Sequence, residues 1–213
     1  MNFLAHALPH LHDPWMVAGT SLPDWLRVVQ RGPRLRPARL LAMKLPDGSP
    51  AARLRAGVLR HHDDDLRFHL EPGFERVTAE LTRQLRALEP DPRFRASTIA
   101  HIVVEMLVDA ALLRLHPGSG ERYYGALRSL DGAELARAAE ALTCVALPRL
   151  HELHERFLDA RFVLEYRSNE GVLRSLEAVL VRTGLPPTPP GTLLCIEKAR
   201  PSVRTLTGAL FPP

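Results

Sequence analysis

Residues 96–115 read ASTIAHIVVEMLVDAALLRL, and this stretch decides the fold class. Alternation at period 2 is missing, while Ile102, Val103, Val104, Met106, Leu107, Val108, Leu112 and Leu113 cover most of a helical circumference. A helix apolar nearly all round is a buried one. Its few polar members, His101, Glu105 and Asp109, stand at i, i+4 and i+8. A step of four residues returns almost to the same face, so the three form one line along the helix. Two carboxylates on a buried helix are costly unless arginines pair with them or a cation binds them.

Outward from this helix, period-3.6 patterning predicts further helices at about 1–8, 15–30, 50–69, 73–88, 119–128, 132–158, 168–183 and 191–209. Pro14, Gly32-Pro33, Pro46-Asp47-Gly48, Pro90-Asp91-Pro92 and Pro117-Gly118 mark breaks between them. The expectation is an all-α, single-domain helical bundle over 1–213. Only the stretch 184–213 stands out as a candidate appendage, because GLPPTPPG at 184–191 reads as a polyproline elbow and Pro201 interrupts the last helical segment.

Composition narrows the function classes. Of the 213 residues, 46% are hydrophobic and 24% charged, which supports a packed core rather than disorder. Aromatics at 6% argue against a stacking platform for single-stranded nucleic acid. Cys144 and Cys195 are too few for a disulfide framework, and no CxxC spacing occurs. The start MNFLAHALPHLHD has no basic n-region, and no run approaches about 18 uninterrupted apolar residues, so the expectation is a cytoplasmic chain without a membrane span. The net charge is +4, and its excess lies at 26–60: Arg27, Arg31, Arg34, Arg36, Arg39, Lys44, Arg53, Arg55 and Arg60 stand against Asp47 alone. Such a run suits an acidic partner or a phosphate, or is simply solvated. With no nucleic-acid-reading motif beside it, specific nucleic-acid binding is not expected.

A second polar strip lies in LRHHDDDLRFHL, residues 59–70, where His61, Asp65 and His69 again stand at i, i+4 and i+8. His62 and Asp64 fall on other faces and read as solvated. Imidazoles and carboxylates alternating along one face suit Mn, Fe or Zn. Two such strips facing each other would build a metal site inside a bundle. His6, after the apolar MNFLA, and Asp24, among Leu22, Trp25 and Leu26, are candidates to join them. Taken alone, His6 reads as a core histidine and Asp24 as a helix cap after Pro23. His151 and His154 read as members of a charged surface helix, and Cys144 as a small core residue.

The segments MNFLAHALPHL, AGTSLPDWLR, AGVLRHHDDDLRFHLEP and VVEMLVDAALLRLH, in this order over residues 1–116, resemble the acyl carrier protein phosphodiesterase family. ARFVLEYRSNEGVLRSLEAVL resembles that family's later Tyr-Arg segment. The resemblance implies an HD-domain-like helical fold. It also implies a divalent metal, typically Mn with Fe or Zn as alternatives, and hydrolysis that removes 4′-phosphopantetheine from the serine of an acidic carrier protein. Carried over by position, the ligands are His6, Asp24, His61, Asp65, His69 and Asp109. Asp24 or Asp65 would hold the metal or orient water, and Arg60, or an arginine of the basic stretch, would neutralise phosphate charge. His101, Glu105, Tyr166, Arg167 and Asn169 would line or support the pocket. This chain departs from the pattern twice: His69 stands where the family has an acidic residue, and Ala110 where an Asp-His pair has its histidine. Two other readings arise from the departures: a phosphohydrolase for a nucleotide or another small phosphate ester, and a non-catalytic helical binding protein with a degenerate site.

Overall fold

The computed structural model describes residues 1–29 and 35–212. Helices α1 (Phe3–Ala7), α2 (Pro14–Val29), α3 (Pro37–Ala42), α4 (Pro50–His69), α5 (Pro72–Leu88) and α6 (Ala96–Leu115) form the first part of the chain. They are followed by α7 (Ser119–Arg128), α8 (Gly132–Thr143), α9 (Leu150–Ala160), α10 (Phe162–Glu165), α11 (Asn169–Thr183) and α12 (Thr192–Leu210). Among the described residues there is no strand, so the protein is all-α as its patterning predicts. Arg31, Arg34 and the Gly32-Pro33 break lie outside the described residues.

The chain forms two compact units that interleave in sequence. The first comprises residues 1–2, 67–117 and 162–212. Its centre is α6, on which α5, α10, α11 and α12 pack. Val103, Val104, Val108 and Leu112 of α6 are fully buried, which accounts for the helix's nearly continuous apolar surface. By length and composition α6 is apolar enough to cross a membrane, with a mean hydropathy of 1.7, yet 72% of that window is covered by protein. A buried core helix has the same composition. The stretch 192–210 is one helix packed on α5 and α6, and it continues through Pro201. A proline there removes one backbone hydrogen bond, which burial of Ile196, Val203 and Leu206 on both sides offsets.

The second unit comprises the described residues of 3–66 and 118–161. Asp13 starts α2 by accepting hydrogen bonds from the backbone N–H groups of Trp15 (3.0 Å) and Met16 (3.1 Å). Around α2 lie α1, α7 and α9. Phe157 of α9 meets Phe3 edge-on at 5.1 Å and Trp25 at 5.2 Å, and Ser21 shares a 2.8 Å hydrogen bond with the Tyr123 hydroxyl. Helices α2 and α4 approach backbone to backbone. A Cβ on Gly57 would lie 2.7 Å from the Gly19 Cα, and one on Gly19 would lie 2.8 Å from the Gly57 Cα. Only glycine fits at either position.

The helix expected over 132–158 is two helices. Cys144 adopts φ 59° and caps α8 in the left-handed region, where it is exposed rather than a core residue. Pro148 explains the break, because it offers no N–H and disfavours a helical residue before it. The Glu140 carboxylate holds the turn by accepting from the Leu147 N–H at 2.7 Å.

Candidate metal centres

Two groups of imidazole and carboxylate side chains converge, one in each unit, and within each group the ligand atoms lie no more than 4.8 Å apart. The strip His61, Asp65 and His69 is divided between them. His61 and Asp65 join His6 in the second unit, whereas His69 joins His101 and Glu105 in the first.

In the second unit, α1 supplies His6 and α4 supplies His61 and Asp65. His6 is fully buried and His61 is 2% exposed, and their rings stack at 4.2 Å. The His6 Nε2 lies 3.3 Å from Asp65 Oδ1, and the His61 Nε2 lies 3.3 Å from Asp65 Oδ2. The other nitrogen of each ring meets a second acceptor. His61 Nδ1 is 2.9 Å from the Thr20 carbonyl, and His6 Nδ1 is 3.4 Å from Asp64 Oδ2. The close crossing at Gly19 and Gly57 brings Thr20 against His61, one helical turn beyond Gly57.

The donor count then limits the chemistry. An imidazole whose Nδ1–H is donated to a carbonyl or carboxylate presents a lone pair at Nε2. Two such lone pairs aimed at one carboxylate repel unless a proton or a metal cation lies between. Burial depresses the His6 pKa, but hydrogen bonds to Asp64 and Asp65 outweigh it and the net shift is upward. Burial likewise pushes the Asp65 carboxyl upward, and the hydrogen bonds from His6 and His61 overcome this and hold it well below the usual carboxylate range. His2Asp is a donor set that fits Mn, Fe or Zn.

Asp64 is 5% exposed, not solvated as its helical position predicts. It orients His6 through one oxygen, and its Oδ1 pairs with the Arg60 guanidinium at 2.8 Å. The sequence carries a sign of this in Arg60, four residues before Asp64 and therefore on its face. Arg60 Nε is buried with no hydrogen-bond partner. Asp24 lies within α2 rather than at a cap, and it pairs with the exposed Arg27 at 3.4 Å. It is not among the three converging ligands.

In the first unit, Glu105 Oε1 accepts from His101 Nε2 at 3.1 Å and His69 Nε2 at 3.4 Å, and from the Met1 amino group at 3.0 Å. Burial raises the Glu105 pKa, but these donors outweigh it and hold the carboxyl below its ordinary value. Asp109, the third member of the α6 line, is fully buried. Tyr166 is buried, and its hydroxyl accepts from the Asn2 amide at 3.3 Å. Arg200 donates to the Tyr166 carbonyl at 3.0 Å and to the Asn169 side chain, while the Arg167 carbonyl accepts from Arg114 at 3.4 Å. These contacts brace α10 and the start of α11.

The basic stretch is largely spent on the fold. Arg53 pairs with Asp13 at 2.6 Å, Arg55 donates to the Leu40 and Met43 carbonyls, and Arg39 donates to the Thr143 carbonyl. Arg27, Arg36 and Lys44 remain exposed. His151 is exposed as expected, but His154 is buried and its Nε2 lies 3.1 Å from the Leu127 carbonyl.

No protein-family model, curated protein or solved structure matches the chain.

Proposed function

We propose that the protein is a metal-dependent phosphodiesterase of HD-related helical fold, acting on the phosphopantetheine–serine phosphodiester of an acyl carrier protein. The observation that carries this reading is the buried convergence of His6, His61 and Asp65, with both Nδ1 atoms already committed to acceptors. The ordered resemblance over residues 1–116 supplies the substrate class.

A divalent ion held by these three groups would polarise a phosphodiester oxygen and acidify water. His61 and His6 would hold it through Nε2, with the Thr20 carbonyl and the Asp64 carboxylate fixing their ring planes. Asp65, whose two oxygens lie 3.3 Å from the His6 and His61 Nε2 atoms, would serve as the third ligand. Arg60 carries permanent positive charge beside the cluster, where it offsets negative charge developing on phosphorus-bound oxygens. In the hydrolysis a water oxygen bonds to phosphorus and the bond from phosphorus to the serine oxygen breaks. One water proton is released, and the serine alkoxide regains a proton. Exposed Arg27, Arg36 and Lys44 would meet the acidic carrier and make association sensitive to salt.

Metal content of untagged protein, measured by plasma mass spectrometry, tests the centre, and release of phosphopantetheine from holo carrier protein tests the substrate. Bound Mn, Fe or Zn that disappears in Asp65→Ala, together with metal-dependent release, is the expected result. A protein that neither contains nor takes up these ions overturns the enzyme reading. A metal-bound protein that cleaves only small phosphate esters moves the substrate from the carrier to that class.

A further inference from the structure

We infer that His69, His101 and Glu105 form a second transition-metal site, in the first unit, which takes zinc or a similar borderline ion such as cobalt. His101 and Glu105 stand one turn apart on α6, and His69 is the last residue of α4, so two helices fix the three donors. Glu105 Oε1 lies 3.1 Å from His101 Nε2 and 3.4 Å from His69 Nε2. Tetrahedral zinc with bonds of about 2.0–2.1 Å has ligand-to-ligand edges of roughly 3.3 Å. The two edges to Glu105 therefore match an ion's spacing, and all three donor atoms lie within 4.8 Å of one another.

The rings are held by packing. Phe74 lies 5.1 Å from His101, edge-on, and 5.3 Å from His69, and the two imidazoles are 4.8 Å apart. Two imidazoles with a single carboxylate select zinc, cobalt or nickel over magnesium or calcium, which prefer oxygen. The histidine side chains are 37% and 39% exposed, which gives an ion an entry path and leaves room for water as a fourth ligand. On binding, the ion would displace the Met1 amino group from Glu105 Oε1.

The site is tested by titrating metal-stripped protein with Co(II), following tetrahedral d–d absorption, and counting ions that survive gel filtration. Parent protein, His101→Ala and Glu105→Gln are compared, with circular dichroism to establish folding. Both variants should hold one ion fewer than the parent and lose the corresponding absorption, and Glu105→Gln keeps the side chain's size. Unchanged stoichiometry in both variants overturns the site. The same measurement on Asp65→Ala separates this inference from the proposed phosphodiesterase centre. If that centre fails, the parent holds one ion, removed by His101→Ala and not by Asp65→Ala; if the second site fails, the dependence is reversed.

Discussion

The two clusters share a donor set of two imidazoles and one carboxylate, and they differ in what stands behind the ligands. In the His6, His61 and Asp65 cluster, each ring is tied at Nδ1 to an acceptor, and both histidines are buried. In the His69, His101 and Glu105 cluster, support comes from packing against the Phe74 ring, and the histidines are over a third exposed. Acceptors behind a ligand raise its basicity and fix its tautomer, whereas an aromatic wall restricts only where the ring lies. Burial of the two histidines strengthens the charge interactions around them. On the proposed function, this difference puts the chemistry at the buried cluster and reversible ion binding at the open one.

The largest effect separates them outright. Asp65→Ala leaves two imidazole lone pairs without their shared anion, and metal-dependent hydrolysis should fall to background while zinc or cobalt binding by the open cluster persists. Activity and metal counts on one preparation check this, and retained hydrolysis breaks the assignment. Next, Gly57→Ala adds a Cβ within 3 Å of the Gly19 backbone, which no side-chain rotation relieves. Helix propensity gains up to about 1 kcal/mol from that change. Overpacking costs about 1–3 kcal/mol, toward the upper end where backbone meets backbone, so a net loss of stability is expected. Denaturant titration reads the loss. Metal affinity at the buried cluster should fall with it, because the same helix crossing sets the bond from His61 to Thr20.

A smaller change tests the anchoring idea directly. Asp64→Asn keeps the shape and removes the negative charge behind His6, and should weaken metal binding by about 10–100-fold with the helical circular dichroism unchanged. Competitive titration against a chelator measures it. An unaltered affinity would mean that the acceptors behind the rings contribute nothing, and the comparison between the clusters would lose its basis.

How far the sequence carried this picture depended on whether one helix period was enough. The class of the fold came from 96–115, since a helix apolar on all sides has to be buried. His61 and Asp65 were legible by their spacing of four. The division of the strip at His69 was not, because a period of 3.6 drifts over two turns and because partners from α1 and α6 decide which side each residue serves. The burial of Asp64 is not legible, because it depends on His6 and Arg60 and not on its own apolar neighbours. The interleaved units left no boundary to read, as each draws on separated segments of similar composition. The break at Cys144 was marked by Pro148, but the amphipathic pattern on both sides hid it.

His154 supplies the smallest effect and a control on the buried cluster. It is a buried imidazole like His6, hydrogen-bonded like His6, but it faces the Leu127 carbonyl where His6 faces two carboxylates. Burial lowers its pKa, and the hydrogen bond to Leu127 only partly restores it. Unfolded histidine takes up its proton near pH 6.5. Above that pH both states are neutral and His154 costs nothing. As the pH falls below 6.5 the unfolded chain binds the proton first, so stability declines until the pH passes the lowered folded value. His154→Gln keeps a donor for the Leu127 carbonyl and removes the titration. The difference in stability between parent and variant, measured by denaturant unfolding from pH 8 to pH 5, should be constant above pH 6.5. Below it, the difference should shift in the variant's favour. A difference that stays flat throughout would show that burial alone does not distinguish His154 from an exposed histidine. The contrast with His6 would then rest on its carboxylates without help from desolvation. A buried imidazole facing a carbonyl is a neutral strut, and one facing a carboxylate is a place for a cation.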